Sequence, residues 1–231
     1  PPFYPYARQD KKHRGREPIS SRLIADLYKT AGADRLMCVD LHTSQIQGFF
    51  DGPLDHLFAI PVLAEYIKSR VENPENVTVV SPDTGRVRVA EHWATLLGGA
   101  PLAFVHKTRD INVPNQAVSK TVVGEIEGRS CVLIDDMIDT GGTIAGAVNV
   151  LKEKGAKEVI IAATHPVFSG PAVERLSGCG ASEVVVTNTL PVPDDKRFEN
   201  LTVLSIAPLV ARAIREVFDE GSVTNIFNDH A

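Results

Sequence analysis

Apolar and polar positions along this chain follow two periods in alternation. Short apolar runs recur at Arg35–Val39, Val77–Val80, Leu102–His106, Cys131–Ile134, Glu158–Thr164, Glu183–Asn188 and Leu201–Ser205. Runs of this kind read as strands buried on both faces, the signature of a parallel sheet. Between them, apolar residues fall three and four apart, as on one side of a helix. Pro18–Ala31 carries Ile19, Leu23, Ile24 and Leu27 and is closed by Gly32. Further helices are expected to open at Pro61, to carry Ala90, Trp93, Ala94 and Leu97, to carry Ile144, Val148 and Leu151, and to span Pro171–Gly178 and Pro208–Asp219. Ser222–Phe227 reads as an edge strand or tail. The alternation predicts an α/β fold whose ligands bind at the carboxyl ends of the strands.

One stretch organises the rest, Cys131–Lys152, "CVLIDDMIDTGGTIAGAVNVLK". A buried strand runs into a glycine-rich turn and then a helix. That arrangement is an anion site, because free turn amides and the helix dipole point the same way. Gly141 and Gly142 let the backbone come close to a phosphate, and the hydroxyls of Thr140 and Thr143 add donors. Asp135, Asp136 and Asp139 put three acids within five residues, a poor choice for phosphate alone. They suit a ligand with a phosphate at one end and hydroxyls or a metal at the other, such as a sugar phosphate.

The same motif of a strand, an acid at its tip and a loop recurs. Asp40 and His42 follow the strand at Arg35–Val39, and Asp83 follows Val77–Val80. These are candidate ligands for Mg²⁺, which takes mostly oxygen and keeps several waters. Lys107 and Arg109 alternate at the start of a polar arm, "KTRDINVPNQAVSKTVVGEIEGR". Such an arm is either a solvated hairpin or a lid that brings cations over a bound phosphate. Near the start, Arg8, Lys11, Lys12, Arg14 and Arg16 form a basic segment fit for several phosphates. The chain opens without Met in what reads as the end of a strand, so a further N-terminal portion is expected.

Composition narrows the partners. The net charge is −5 over 231 residues, which argues against a general nucleic-acid binder and favours a small anionic ligand for the basic segment. No apolar run reaches membrane-spanning length and no signal peptide opens the chain, so a cytoplasmic protein with no membrane partner is expected. The three cysteines, Cys38, Cys131 and Cys179, are far apart, and Cys38 and Cys131 lie in apolar runs. They read as small buried hydrophobes in a reducing compartment.

Taken together, "YPYARQDKK", "VDLHTSQIQGFFD", "VVSPDTG", "HKTR" and "LIDDMIDTGGT" resemble the ribose-phosphate pyrophosphokinase (phosphoribosyl pyrophosphate synthetase) family, in the family's order and over nearly the whole chain. The resemblance implies transfer of the pyrophosphoryl group of MgATP to the 1-hydroxyl of ribose 5-phosphate, releasing AMP. It implies an α/β fold of two type I phosphoribosyltransferase-like domains with parallel sheets flanked by helices, the first incomplete. Residues 1–57 with 215–231 would be the remnant of the first domain, and 58–214 the second. It further implies that Arg8 and Gln9 contact ATP and that His42, Asp83 and Asp40 engage Mg²⁺. Lys107 and Arg109 would be catalytic. Arg109, Asp135, Asp136, Asp139, Thr140, Gly141, Gly142 and Thr143 would hold ribose 5-phosphate. A homohexamer is implied. One departure stands out, since Arg86 follows Gly85 where many family members have a second glycine. Two alternatives share parts of the pattern. A type I phosphoribosyltransferase has the Asp135–Thr143 loop but not "ARQDKK" or "DLHTSQIQGFF". A non-catalytic synthetase-associated subunit would be expected to spoil "KTR" or "DDMIDTGGT", which are intact.

Overall fold

The computed structural model describes residues 1–12, 14–108, 119–224 and 226. In chain order the elements are α1 (Ser20–Thr30), β1 (Leu36–Val39), β2 (Leu54–Leu57), α2 (Ile60–Arg70), β3 (Val77–Ser81), α3 (Val87–Leu96), β4 (Leu102–Thr108), β5 (Ser119–Val123), β6 (Ser130–Ile138), α4 (Gly142–Glu153), β7 (Glu158–Pro166), α5 (Ala172–Gly178), β8 (Glu183–Thr187), β9 (Leu201–Leu204) and α6 (Ala207–Phe218). They form two units, residues 1–59 with 205–231, and residues 60–204. Residues 58–59 and 205–214 therefore go with the first unit, not with the second as the resemblance implies. The reason is packing, because Val210, Ile214 and Val217 of α6 line one apolar groove with Pro2, Met37 and Leu57.

In the first unit β1 and β2 pair in parallel, Leu36 opposite Leu54 and Val39 opposite Leu57. Its core gathers Tyr4, Ala7, Ala25, Leu36, Cys38, Leu41, Ile46 and Phe50. The buried stripe of α1 is Ser21 and Ala25, with Ile24 and Tyr28 packed beside them. Leu23 and Leu27, expected on the core side, are more than half exposed. The small residues Ser21 and Ala25 let the helix approach the first turn of the chain, where the Tyr4 hydroxyl donates to the Ser21 carbonyl. Of the edge strand or tail expected at Ser222–Phe227, Val223 and Thr224 form a turn and so are not strand, while Asn225 and Phe227 lie outside the described residues.

The second unit is built on a seven-stranded sheet in the order β5-β4-β3-β6-β7-β8-β9. All neighbours are parallel except β4 and β5. β3 and β8 are buried at every position and β7 at all but its first, as strands covered on both faces must be. Trp93 packs in the core at 1% exposure, and Cys38, Cys131 and Cys179 are buried and unpaired with one another. Right-handed crossovers explain the layering. The β3-to-β4 step goes one way along the sheet and the β6-to-β7 step the other, so α3 and α4 fall on opposite faces. Accordingly α2 packs with α3, and α4 with α5. Among the described residues no helix is long and apolar enough to cross a membrane.

Candidate active site

Because β3, β4, β6 and β7 are mutually parallel, their carboxyl ends lie along one edge of the sheet. From β3 the chain steps outward through β4 to β5; from β6 it steps the other way through β7 and β8 to β9. The reversal falls between β3 and β6. Turns leaving adjacent strands for opposite faces open a crevice between them, the usual ligand position in open α/β sheets.

One wall of that crevice is the end of β6 and the turn after it. The apolar run predicts a strand ending at Ile134, but β6 continues to Ile138 because β7 stays paired with it, Asp135 opposite Ala163 and Ile138 opposite Pro166. Asp135 and Asp136 thus sit on strand backbone, which fixes them more firmly than a loop would. Gly141 adopts φ 71° and ψ −5°, a left-handed conformation that a side chain resists, and Gly142 opens α4. The first amides of α4 have no intrahelical partner and the helix dipole is positive there. Thr140, Gly142 and Thr143 are exposed to solvent.

The turn is braced from behind by residues that sequence spacing does not single out. Phe168 N–H donates to the Ile138 carbonyl and Ser169 N–H to the Asp139 carbonyl, each at 3.0 Å. Arg175 Nη1 donates to the Thr140 carbonyl at 2.9 Å. His165, for which the sequence offers no role, is buried at the end of β7 with Nδ1 2.8 Å from Thr189 Oγ1, so it anchors a neighbouring strand end.

The other wall is the turn after β3, Asp83-Thr84-Gly85-Arg86. Asp83 is exposed and extended, and its Oδ1 accepts from Gly85 N–H at 2.9 Å, pinning the turn. The next side chain, that of Arg86, crosses to β6. Its Nη2 lies 2.6 Å from Asp136 Oδ1, and its Nε 3.7 Å from Asp135 Oδ1. The Arg86, Asp135 and Asp136 side chains are 16%, 18% and 8% exposed, so this cluster is largely shielded from water. Burial, and then the neighbouring Asp136 charge, push the Asp135 carboxyl well above the usual carboxylate range, and the Arg86 guanidinium opposes that rise.

The second unit thus brings Asp83, Asp135, Asp136 and Asp139–Thr143 to one edge of its sheet, and Lys107 is the next-to-last residue of β4, beside β3. Arg109 lies outside the described residues. Arg8, Gln9, Asp40 and His42 belong to the first unit. There Tyr4, Ala7 and Asp10 point inward, which leaves Arg8 and Gln9 exposed. Asp10, which no sequence pattern singles out, accepts from Thr43 Oγ1 and Gln45 Nε2 at 2.6 Å each and so fixes the segment after His42. One Asp40 oxygen accepts from Ala59 N–H at 3.1 Å, tying the acid to the end of β2. Among the described residues, no group of three or more His, Cys, Asp or Glu side chains is gathered to hold a metal ion.

Comparison with known proteins shows the family of the chain. Residues 100–228 match the family described as "Phosphoribosyl synthetase-associated domain", and residues 1–32 match "N-terminal domain of ribose phosphate pyrophosphokinase". A "Ribose-phosphate pyrophosphokinase" of Mycobacterium leprae is 67% identical over 230 residues, covering 100% of this chain and 70% of that protein. One from Streptomyces coelicolor is 63% identical over 228 residues, covering 99% and 70%. The crystal structure of phosphoribosylpyrophosphate synthetase from Mycobacterium smegmatis superposes with a TM-score of 0.88 at 66% identity, over 95% of this chain and 70% of that one.

Proposed function

Since the chain belongs to the ribose-phosphate pyrophosphokinase family, we propose that the turns after β3 and β6 hold its two substrates against each other. Its activity is the synthesis of 5-phosphoribosyl 1-pyrophosphate from ribose 5-phosphate and ATP, with AMP released. The observation that supports this division of labour is the reversal of strand order between β3 and β6, the strands that lead into these turns.

The 5-phosphate rests on the amides and hydroxyls of Asp139–Thr143, and Asp135 and Asp136 accept hydrogen bonds from the sugar hydroxyls. The pyrophosphoryl group of ATP lies along the turn Asp83–Arg86. The sugar 1-hydroxyl attacks the β-phosphorus and releases its proton to solvent, the bond from that phosphorus to the AMP oxygen breaks, and AMP leaves with the electron pair of that bond. Little covalent chemistry is asked of the protein; alignment and charge neutralisation carry the rate. Lys107 and Arg109 supply positive charge where it is needed on the phosphates. Mg²⁺, when bound, neutralises phosphate charge. Asp83 fits that ion, being an exposed carboxylate whose Oδ1 is engaged in the turn, and Mg²⁺ needs only one or two protein carboxylates besides phosphates and water. In the first unit, taken by itself, Arg8 and Gln9 are the ATP contacts and His42 a metal contact. We place the reaction in the cytoplasm and the working enzyme in a homohexamer, as the family resemblance implies.

Incubation with ATP, Mg²⁺ and ribose 5-phosphate tests this directly. AMP and 5-phosphoribosyl 1-pyrophosphate should appear in equal amounts, and only when the sugar is present. Release of ADP, or consumption of 5-phosphoribosyl 1-pyrophosphate with a free base, would contradict it and favour another transferase.

A further inference from the structure

The side chain of Arg86 is given no role above, yet it joins the turn after β3 to the end of β6. Its backbone belongs to the short helical turn Thr84–Arg86, pinned by Asp83. Its guanidinium reaches β6, 2.6 Å from Asp136 Oδ1 and 3.7 Å from Asp135 Oδ1. Asp135 Oδ1 also accepts from Asp136 N–H at 2.9 Å, so the two acids are held against each other. Adjacent shielded carboxylates repel, and with no cation beside them each would tend to keep a proton. A protonated acid donates as well as accepts, which makes it a poorer receptor for sugar hydroxyls. The planar guanidinium presents its donors in a fixed fork that matches carboxylate geometry, so it can hold an acid in one orientation.

We propose that Arg86 is a positioning residue for the sugar. Reaching across from the pyrophosphate turn, it aligns Asp135 and Asp136 towards the hydroxyls of ribose 5-phosphate and keeps Asp136, its nearer partner, an acceptor. Pentose affinity then depends on a residue of the turn that receives the other substrate. The inference rests on the reading of Asp135 and Asp136 as sugar-binding acids.

Calorimetric titration with ribose 5-phosphate, beside the steady-state KM for ATP, tests it in Arg86→Gln, Arg86→Lys, Asp136→Asn and the double variant. Arg86→Gln should weaken ribose 5-phosphate by about 10-fold or more, with a smaller change in KM for ATP. Arg86→Lys should recover part of the loss by restoring the charge. Adding Arg86→Gln to Asp136→Asn should cost less than it does alone, because its partner is already gone. If Asp136→Asn weakens sugar binding while Arg86→Gln and Arg86→Lys leave it within about twofold, the sugar-binding reading stands and the role of Arg86 falls. If Asp136→Asn leaves sugar binding unchanged, both fall. Circular dichroism of each variant checks folding, and if Arg86→Gln does not fold, Arg86→Lys with Asp136→Asn decides the outcome.

Discussion

Arg175 Nη1 donates to the carbonyl oxygen of Thr140 at 2.9 Å, joining α5 to the turn proposed for the sugar phosphate. A side chain at position 142 would crowd this brace, since the same nitrogen is 3.2 Å from where a Cβ on Gly142 would be. The brace thus acts on the turn itself and leaves the acids of β6 alone. Arg175→Ala should lower ribose 5-phosphate affinity several-fold, while the exposed position limits the loss of stability to about 1 kcal/mol. Calorimetry and urea denaturation separate the two effects. Unchanged affinity would show that the turn holds its shape without the brace.

Asp135 gives the fold a pH dependence of known sign. Its folded carboxyl keeps a proton at pH values where the unfolded chain has released it, because burial and Asp136 disfavour the charge. The folded state therefore binds the extra proton above the ordinary carboxylate range, and its contribution to stability falls as pH rises from there towards the raised value. Asp135→Asn removes that titration. The variant should gain in melting temperature relative to the parent as pH rises, while losing affinity for ribose 5-phosphate. A melting difference that stays flat with pH would contradict the raised carboxyl.

Lys107 is assigned to charge neutralisation in the transferring group, so its loss should fall on turnover more than on binding. Lys107→Ala is expected to lower kcat by about 10²-fold or more with a much smaller change in ribose 5-phosphate affinity. Steady-state kinetics with direct binding measurements check this, and the reverse pattern would remove Lys107 from the catalytic role.

The opposite end of the sheet offers a control. Glu183, the first residue of β8, is buried and accepts from the Tyr66 hydroxyl and Thr202 Oγ1 at 2.5 Å each and from Arg70 Nε at 3.0 Å. Tyr66→Phe removes one donor to a charged acceptor and should cost about 1–2 kcal/mol of stability. Because the cluster lies at the amino end of β8, kcat and KM should not change. A kinetic effect comparable to that of a crevice variant would break the separation of scaffold from site.

What the sequence revealed depended on how local the cause was. β6 and α4 could be read because an apolar run, two glycines and a helical stripe are neighbours in the chain. β2 could not, because Asp55 and His56 interrupt its four residues; Asp55 is held by Arg35 at 2.6 and 2.8 Å, and His56 Nε2 accepts from Leu41 N–H at 2.8 Å. The extension of β6 beyond Ile134 comes from its pairing with β7, which no periodicity in β6 records. Leu23 and Leu27 misled for the converse reason, since the helix turns its small residues inward. In the site, the acids and glycines stood out as residue types. Arg86 and Arg175 bond to partners 50 and 35 positions away, so local spacing carried no sign of those contacts.

The central claim is that the amides of the turn after β6 receive the phosphate of the sugar. Titration of ¹⁵N-labelled protein with ribose 5-phosphate, followed by backbone amide resonances, measures this directly. The account predicts the largest shifts at Thr140, Gly141, Gly142 and Thr143. Saturable binding that leaves those four amides unmoved, with shifts gathered elsewhere, would contradict it.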